Sequence, residues 1–325
     1  METKKIFKIN LVSPITQSPL IQQNNCLVSQ TNEKFPIINN IPRFVPKENY
    51  ASAFGLQWNT YRRTQLDSFT GVPISRERLT RIVGGSLDIL QGKTILEAGC
   101  GAGRFTELLL QSGANVFAAD ISSAVDANYQ NCSKYSNYFV IQADIQKLPV
   151  PPNQFDIVVC IGVIQHTPDP EKTIAALCSY LKPNGLLFID HYSESHPIPP
   201  IRRILRYFLT KMGSETSLKF VQVYTRIFWP LHRFFFKYQH IFEFGSIRSI
   251  FLHWSPIADH QDAYSSLGEK MLYDWAILDT YDTLTDFYKH LRSADEIKEY
   301  LEKNDMNIIE ITNAGNGIEA RAVKV

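Results

Sequence analysis

Ile95-Leu96-Glu97-Ala98-Gly99-Cys100-Gly101-Ala102-Gly103-Arg104-Phe105 is the stretch that decides the fold. The apolar run Thr94–Ala98 leads straight into glycines at 99, 101 and 103. Glycines at every second position let a chain turn sharply and let a ligand approach without meeting a Cβ. The reading is a strand, a turn and then a helix over Arg104–Gln111. Downstream the same rhythm repeats. Asn115–Ala119 predicts a second strand ending at Asp120, and Tyr138–Gln142 a third ending near Asp144. Phe155–Cys160 predicts a fourth, nearly all apolar as a central parallel strand must be. Thr167 and Pro168 open a helix to about Leu181, Pro183-Asn184-Gly185 stops it, and Leu186–Ile189 is a fifth strand. Such alternation builds an open parallel sheet with right-handed crossovers. Ligands of such sheets sit beyond the carboxyl ends of the strands.

The turn itself narrows the ligand. A dinucleotide site wants G-x-G-x-x-G, with the pyrophosphate at a helix N-terminus. Here Arg104 stands where the third glycine would be, and Glu97 precedes the turn. A carboxylate there repels a pyrophosphate and attracts an ammonium group. Asp120, at the second strand end, can accept hydrogen bonds from two ribose hydroxyls. Asp144, at the third, can accept from an adenine amino group. The implied ligand has an ammonium-bearing tail, a ribose and an adenine, and no phosphate.

The quoted stretch, with Ala119-Asp120-Ile121-Ser122, Gln142-Ala143-Asp144-Ile145 and Phe155 through Pro170, resembles the class I S-adenosylmethionine-dependent methyltransferases. The resemblance covers residues 50–195 and 273–325 and is greatest to the ubiquinone- and menaquinone-type branch. It implies an α/β, Rossmann-like seven-stranded sheet of order 3-2-1-4-5-7-6 with the last strand antiparallel. It implies S-adenosyl-L-methionine as cofactor, S-adenosyl-L-homocysteine as product and no metal. Carried onto this sequence, Glu97 and the backbone of Gly99, Cys100 and Gly101 hold the methionine moiety, and Gly103 is a further cofactor-binding position. Asp120 takes the ribose, Ile121 packs on the adenine, and Asp144 and Ile145 frame its edge. Ile161 and Gly162 pass close to the sulfonium, and Gln57 and Trp58 close over the cofactor.

Residues 1–49 are irregular and β-like, punctuated by Pro14, Pro19, Pro36, Pro42 and Pro46. They resemble the zinc-ribbon-like module preceding some of these enzymes, but Cys26 stands alone, so four nitrogen or sulfur ligands cannot assemble. The expectation is a metal-free remnant folded against the core. Residues 50–195 read as the methyltransferase core, 196–272 as a helical cap insertion, and 273–325 as the rest of the core. In that last part Ser293–Glu296 is a capping box, and Asn307–Thr312 and Ile318–Val323 form a hairpin through 313–317. The formal net charge of +1 gives no electrostatic case for nucleic acid. Five scattered cysteines suit a reducing cytoplasm, and Met1–Lys5 lacks a secretory apolar run. Between Arg202 and Lys237 eight basic residues face one acid, Glu215, with aromatics interleaved. Two readings lead there, a surface meeting a membrane or lipid-linked acceptor and a solvated basic face over an apolar core stripe; nucleic acid is a weaker third, since no recognised nucleic-acid fold accompanies the charge.

Methyl transfer is an in-line displacement that needs the acceptor oriented and water excluded. A hydroxyl acceptor gains from a general base, usually histidine near neutral pH. His166, past the fourth strand, and His191, past the fifth, are the catalytic candidates. His260 near Asp262, with Tyr281 and Tyr288, are candidates for the acceptor site. The function expected is methyl transfer to oxygen or nitrogen of a small-molecule, lipid- or glycan-linked acceptor in a biosynthetic pathway. Two alternatives remain: a nicotinamide-dependent oxidoreductase on a similar sheet, and a non-catalytic partner protein of the same fold.

Overall fold

The computed structural model describes residues 9–46, 48–194, 199–241, 244–315 and 317–325. Met1–Lys5, the boundary at 195/196 and Asn316 of the terminal hairpin fall outside them.

Residues before 50 form a four-stranded antiparallel sheet of β1 (Leu20–Gln23), β2 (Cys26–Ser29), β3 (Lys34–Ile38) and β4 (Ile41–Pro42). It docks on the core through backbone and charge. The Phe44 amide donates to the Gln142 carbonyl at 2.8 Å. The buried Arg43 guanidinium donates to Asp126 at 2.6 Å and to Gln142 at 3.1 Å. Helices α1 (Ser52–Thr60), α2 (Asp67–Thr70) and α3 (Ile74–Val83) follow.

The core then alternates as read: β5 (Thr94–Ala98), α4 (Thr106–Gln111), β6 (Asn115–Asp120), α5 (Ala124–Cys132), β7 (Tyr138–Gln142), β8 (Phe155–Cys160), α6 (Pro170–Tyr180) and β9 (Leu181–Tyr192). The chain closes with α7 (Pro200–Leu209), α8 (Ser214–Tyr238), α9 (Phe244–Trp254), α10 (Glu269–Thr285), α11 (Ala294–Glu302), β10 (Met306–Ala314) and β11 (Gly317–Lys324). The seven-stranded sheet runs β7-β6-β5-β8-β9-β11-β10, with β11 antiparallel to both neighbours. Counted from β5, this is the expected order 3-2-1-4-5-7-6.

The central strands β5, β6, β8 and β9 are mostly buried and largely apolar because both faces are covered. Alternate residues go to opposite cores. Leu96, Val158 and Leu187 pack on one face, while Ile95, Ile157, Val159 and Phe188 pack on the other.

Element edges shift for local reasons. α4 starts at Thr106 rather than Arg104, because Gly103 has φ +97° and a helix cannot begin on it. α6 starts at Pro170, with Asp169 as N-cap accepting from the Lys172 amide at 3.0 Å. β9 is far longer than Leu186–Ile189. Asn184, at φ +62°, bulges the strand without ending it, and β11 pairs with it out to Tyr192. The boundary expected at 272/273 falls inside α10. That helix packs on α7, α8 and α1.

Candidate functional site

One cleft of about 620 Å³ lies beyond the carboxyl ends of β5, β6 and β8, under α3, α7 and α10. Its floor is the glycine turn. Gly99, Gly101 and Gly103 have φ of +79°, +47° and +97°, which favours glycine at each. A Cβ on Gly99 would sit 2.2 Å from Val163 Cγ2, so the turn packs directly on the β8–α6 connection. Gly162, at φ +76°, has nothing within 4 Å of where a Cβ would stand. Gly162 therefore bares its backbone to the cleft.

Asp120, at the tip of β6, shapes the glycine turn. Its Oδ2 accepts from the Gly101 amide at 2.9 Å, and its Oδ1 from the Ser122 amide and hydroxyl at 2.8 and 2.7 Å. Ser122 fills both acceptor sites of Oδ1, and Oδ2 retains a lone pair for a ligand hydroxyl. Burial pushes the Asp120 carboxyl above its usual range, against the lowering by those donors.

Of the residues expected to hold the cofactor, Trp58, Gly99, Cys100, Gly101, Asp120, Ile121, Ile145, Ile161 and Gly162 line this cleft. The others take different places. Glu97 lies beneath the turn, 3% exposed, accepting from the Thr106 hydroxyl at 2.5 Å. Burial, with Asp120 nearby, pushes its carboxyl up to about 8. It acts on the cleft through the turn it supports, not as a lining side chain. Gly103 backs onto Cys132 and Asn128. Asp144 caps the 3₁₀ turn Ile145–Lys147, accepting from the Gln146 amide at 2.9 Å. Gln57 is fully buried and reaches the cleft through Asp282, to which its Nε2 donates at 3.2 Å.

The histidines separate. His166 lines the cleft. Its Nδ1 is 3.1 Å from the Tyr288 carbonyl and 3.3 Å from Asp286 Oδ2, which leaves Nε2 as the ring nitrogen open to a ligand. Burial disfavours its charged form, but Asp286 outweighs burial and holds the pKa above 6.5. Asp286 is itself 1% exposed and also binds Arg206 at 2.9 Å and Lys289 at 3.0 Å. His191 does not reach the cleft. It is 1% exposed within β9, its Nδ1 2.9 Å from the Tyr192 carbonyl, and burial pushes its pKa down to about 4. Strand alternation sends Asp190 and Tyr192 to the opposite face from His191. Tyr192 lines the cleft, and Asp190 accepts from the Gly162 amide at 2.5 Å and pairs with Arg78.

His260 lines the cleft, but its partner is Asp279 at 2.7 Å, whereas Asp262 binds Arg248. Tyr281 is fully buried and donates to the Ser214 carbonyl at 2.9 Å, so it holds α10 to α8 and lies off the cleft. The Tyr288 ring packs on Tyr50 at 5.3 Å, behind the lining, and its carbonyl serves His166.

Several lining residues were not singled out as site residues in the sequence. Tyr50 stands close enough to Asp144 and Asp120 that burial and both acids raise its phenol. Arg104 donates to Ser75 at 2.8 Å and Gln65 at 2.9 Å, with its guanidinium 5.8 Å from the Trp275 ring. Asp282, which burial pushes up to about 6, faces the same space. The helical phase of α10 was the available signal, since Trp275, Asp279 and Asp282 recur at its spacing. Among the described residues no group of three or more His, Cys, Asp or Glu is placed to hold a metal ion. None of their helices is long and apolar enough to cross a membrane.

Comparison with known proteins adds similarities to methyltransferases. Residues 96–189 match the model of a methyltransferase domain. A ubiquinone biosynthesis O-methyltransferase of Coxiella burnetii is 31% identical over 129 residues, covering 39% of this chain and 51% of that one. The Pseudomonas paraeruginosa protein of the same name is 38% identical over 105 residues, covering 31% and 45%. The chain thus spans about half the length of the curated relatives it matches. A magnesium protoporphyrin IX methyltransferase from Synechocystis aligns with TM-score 0.46 at 15% identity, over 85% of this chain and 96% of that one.

Proposed function

From its membership of the class I S-adenosylmethionine-dependent methyltransferases, we propose that this chain binds S-adenosylmethionine on the Gly99–Gly103 turn and methylates a hydroxyl of an acceptor seated under the helical cap. The observation that carries the reading is the single cleft shared by the glycine turn, Asp120, Gly162 and His166. Its volume suits a nucleoside cofactor with a small acceptor group beside it. The bared backbone at Gly162 fits a phosphate-free adenosine compound, and the Asp120 carboxylate beside the turn favours its positive charge. When bound, the cofactor supplies a methyl group activated by a positive sulfur. The chain's own part is to orient, to exclude water and to take a proton.

Asp120 holds a ribose hydroxyl, and Tyr50, Ile121 and Ile145 wall the base. Asp286 fixes the His166 ring so that Nε2 can take the proton of the acceptor hydroxyl, the division of labour of an oriented base. The acceptor is a small molecule, or the lipid- or glycan-linked form of one, in a biosynthetic pathway. The ubiquinone pathway of the relatives is not carried over. The match at 96–189 stops before α7 and α10, whose Arg202, Trp275, Asp279 and Asp282 line the cleft.

Calorimetry with S-adenosylhomocysteine tests the cofactor half. Asp120→Ala removes the ribose's hydrogen bond to a charged acceptor, and affinity falls about 10- to 100-fold while the fold survives. Unchanged affinity overturns the ribose assignment. Label transfer from S-adenosylmethionine to a panel of phenolic and sugar hydroxyls tests the other half. His166→Ala lowers turnover by about 10² or more with little change in cofactor affinity. Wild-type turnover removes His166 as base.

A further inference from the structure

We propose that the outer face of the cap is a docking surface for an anionic lipid bilayer. This goes beyond the methyl-transfer reading and does not depend on it. α8 is 25 residues long, and its two sides differ chemically. Leu218, Val221, Thr225, Trp229 and His232 are buried on one side, where the helix packs on α10. Opposite them, Phe220, Val223, Ile227, Leu231 and Phe234 stand 43–64% exposed. At about 100° per residue these five fall within a band of about 80°. Lys219, Arg226, Arg233 and Lys237 lie about 80–120° from the centre of that band, all on the same side. Among the described residues only Arg233 of the four is ion-paired, with Glu269.

The flanking helices extend the pattern. On α7, Ile204, Tyr207 and Phe208 are 57–60% exposed, and the Lys211 ammonium lies 3.6 Å from the Tyr207 ring centre. α9 packs on α8 and exposes Ile250 at 63% and Trp254 at 59%. A folded monomer rarely leaves so many large apolar side chains in water. An apolar band with a basic border is the form of a helix that lies in a membrane interface.

Charge decides among occupants. A second copy meeting this face would bring basic border against basic border, with Glu215 the one acid between Arg202 and Lys237 to relieve it. A purely apolar protein partner leaves the border unexplained. Anionic headgroups satisfy the border while the acyl boundary takes the band. The placement also has a use. Arg202 lines the cleft while Ile204, Tyr207 and Phe208 of the same helix face outward, so docking sets the cleft wall beside the headgroups.

The test uses the full chain in co-sedimentation with vesicles of phosphatidylcholine alone and of phosphatidylcholine mixed with phosphatidylglycerol. The wild type partitions onto the mixed vesicles and is released by high salt. Lys219→Glu with Arg226→Glu weakens that partition at least about tenfold. Ile227→Asp with Leu231→Asp abolishes it. Both variants keep the unfolding midpoint, because the altered side chains are exposed. Absence of binding to mixed vesicles, equal binding to both kinds, or a stable dimer that the Ile227/Leu231 variant dissolves would each overturn the proposal.

Discussion

At the scale of single residues, Glu97 shows how the fold can turn a conspicuous side chain away from the cleft beside it. The sequence marks it as a carboxylate beside a glycine turn, and a facing ammonium group is the natural inference. The fold instead seats it behind the turn, bonded to Thr106. That burial has a testable sign. In the unfolded chain its carboxyl releases its proton near 4.5, and in the folded apo protein near 8. Between those values the folded state binds more protons than the unfolded one, so Glu97 lowers stability as pH rises. Glu97→Gln keeps an acceptor for the Thr106 hydroxyl and removes the ionisation. The variant should match the wild type near pH 4 and exceed it at pH 9 by an amount on the order of a few kcal/mol. Urea titrations across that range measure it, and a difference that does not vary with pH would show that the carboxyl does not titrate there. Asp120 was legible both as a residue and in its position, because a strand-end acid has only the sheet edge to occupy. His191 was legible only as a residue type. Its position depends on β9 running on to Tyr192, and that length is set by pairing with β11, some 130 residues away in sequence.

At the scale of elements, the sheet was readable because it rests on local signals: apolar runs of strand length, glycines, prolines and a capping box. The cap was readable only as helical. Which face of α10 looks into the cleft depends on α8 and α1, so Tyr281, a candidate for the acceptor site, is buried off the cleft whereas Trp275, Asp279 and Asp282 line it. Two glycines show how tightly the elements around the cleft are set. Gly99 and Gly162 both have left-handed backbone, so alanine at either costs about 1–2 kcal/mol. At Gly99 the new methyl also meets Val163 at 2.2 Å and must push the β8–α6 connection off the turn. Overpacking of that kind adds about 1–3 kcal/mol. Gly99→Ala should therefore destabilise more than Gly162→Ala in urea titrations and should weaken S-adenosylhomocysteine binding as the floor opens. Combining Gly99→Ala with Val163→Ala should recover part of the loss, since the two sites share one contact. Strict additivity of the pair would mean that the strain lies in the backbone alone.

At the scale of the whole molecule, the cap and the sheet meet in a buried charge cluster that also holds the proposed base. Asp286, just past α10, binds Arg206 of α7, Lys289 and His166 of the β8–α6 connection. A cap helix thus shares a carboxylate with a residue of the cofactor cleft, and a change at the cap surface can tune the chemistry. Arg206→Gln removes one cation from Asp286 and leaves more of its negative field on His166. The His166 pKa, already held above 6.5 by Asp286, should rise further. Catalysis by the proposed mechanism needs neutral His166, so the acid limb of the pH–rate profile should move to higher pH and turnover at pH 7 should fall. Stability should fall too, by up to about 3 kcal/mol, because a buried carboxylate loses part of its compensation. The His166–Asp286 contact alone opposes that loss in acid, since a raised histidine pKa stabilises below 6.5 and fades as pH climbs through the folded value. The variant should therefore lose more stability at pH 8 than at pH 5.5. A lower midpoint with an unmoved pH–rate profile would reduce Arg206 to a strut holding the cap and would detach the cluster from the proton transfer.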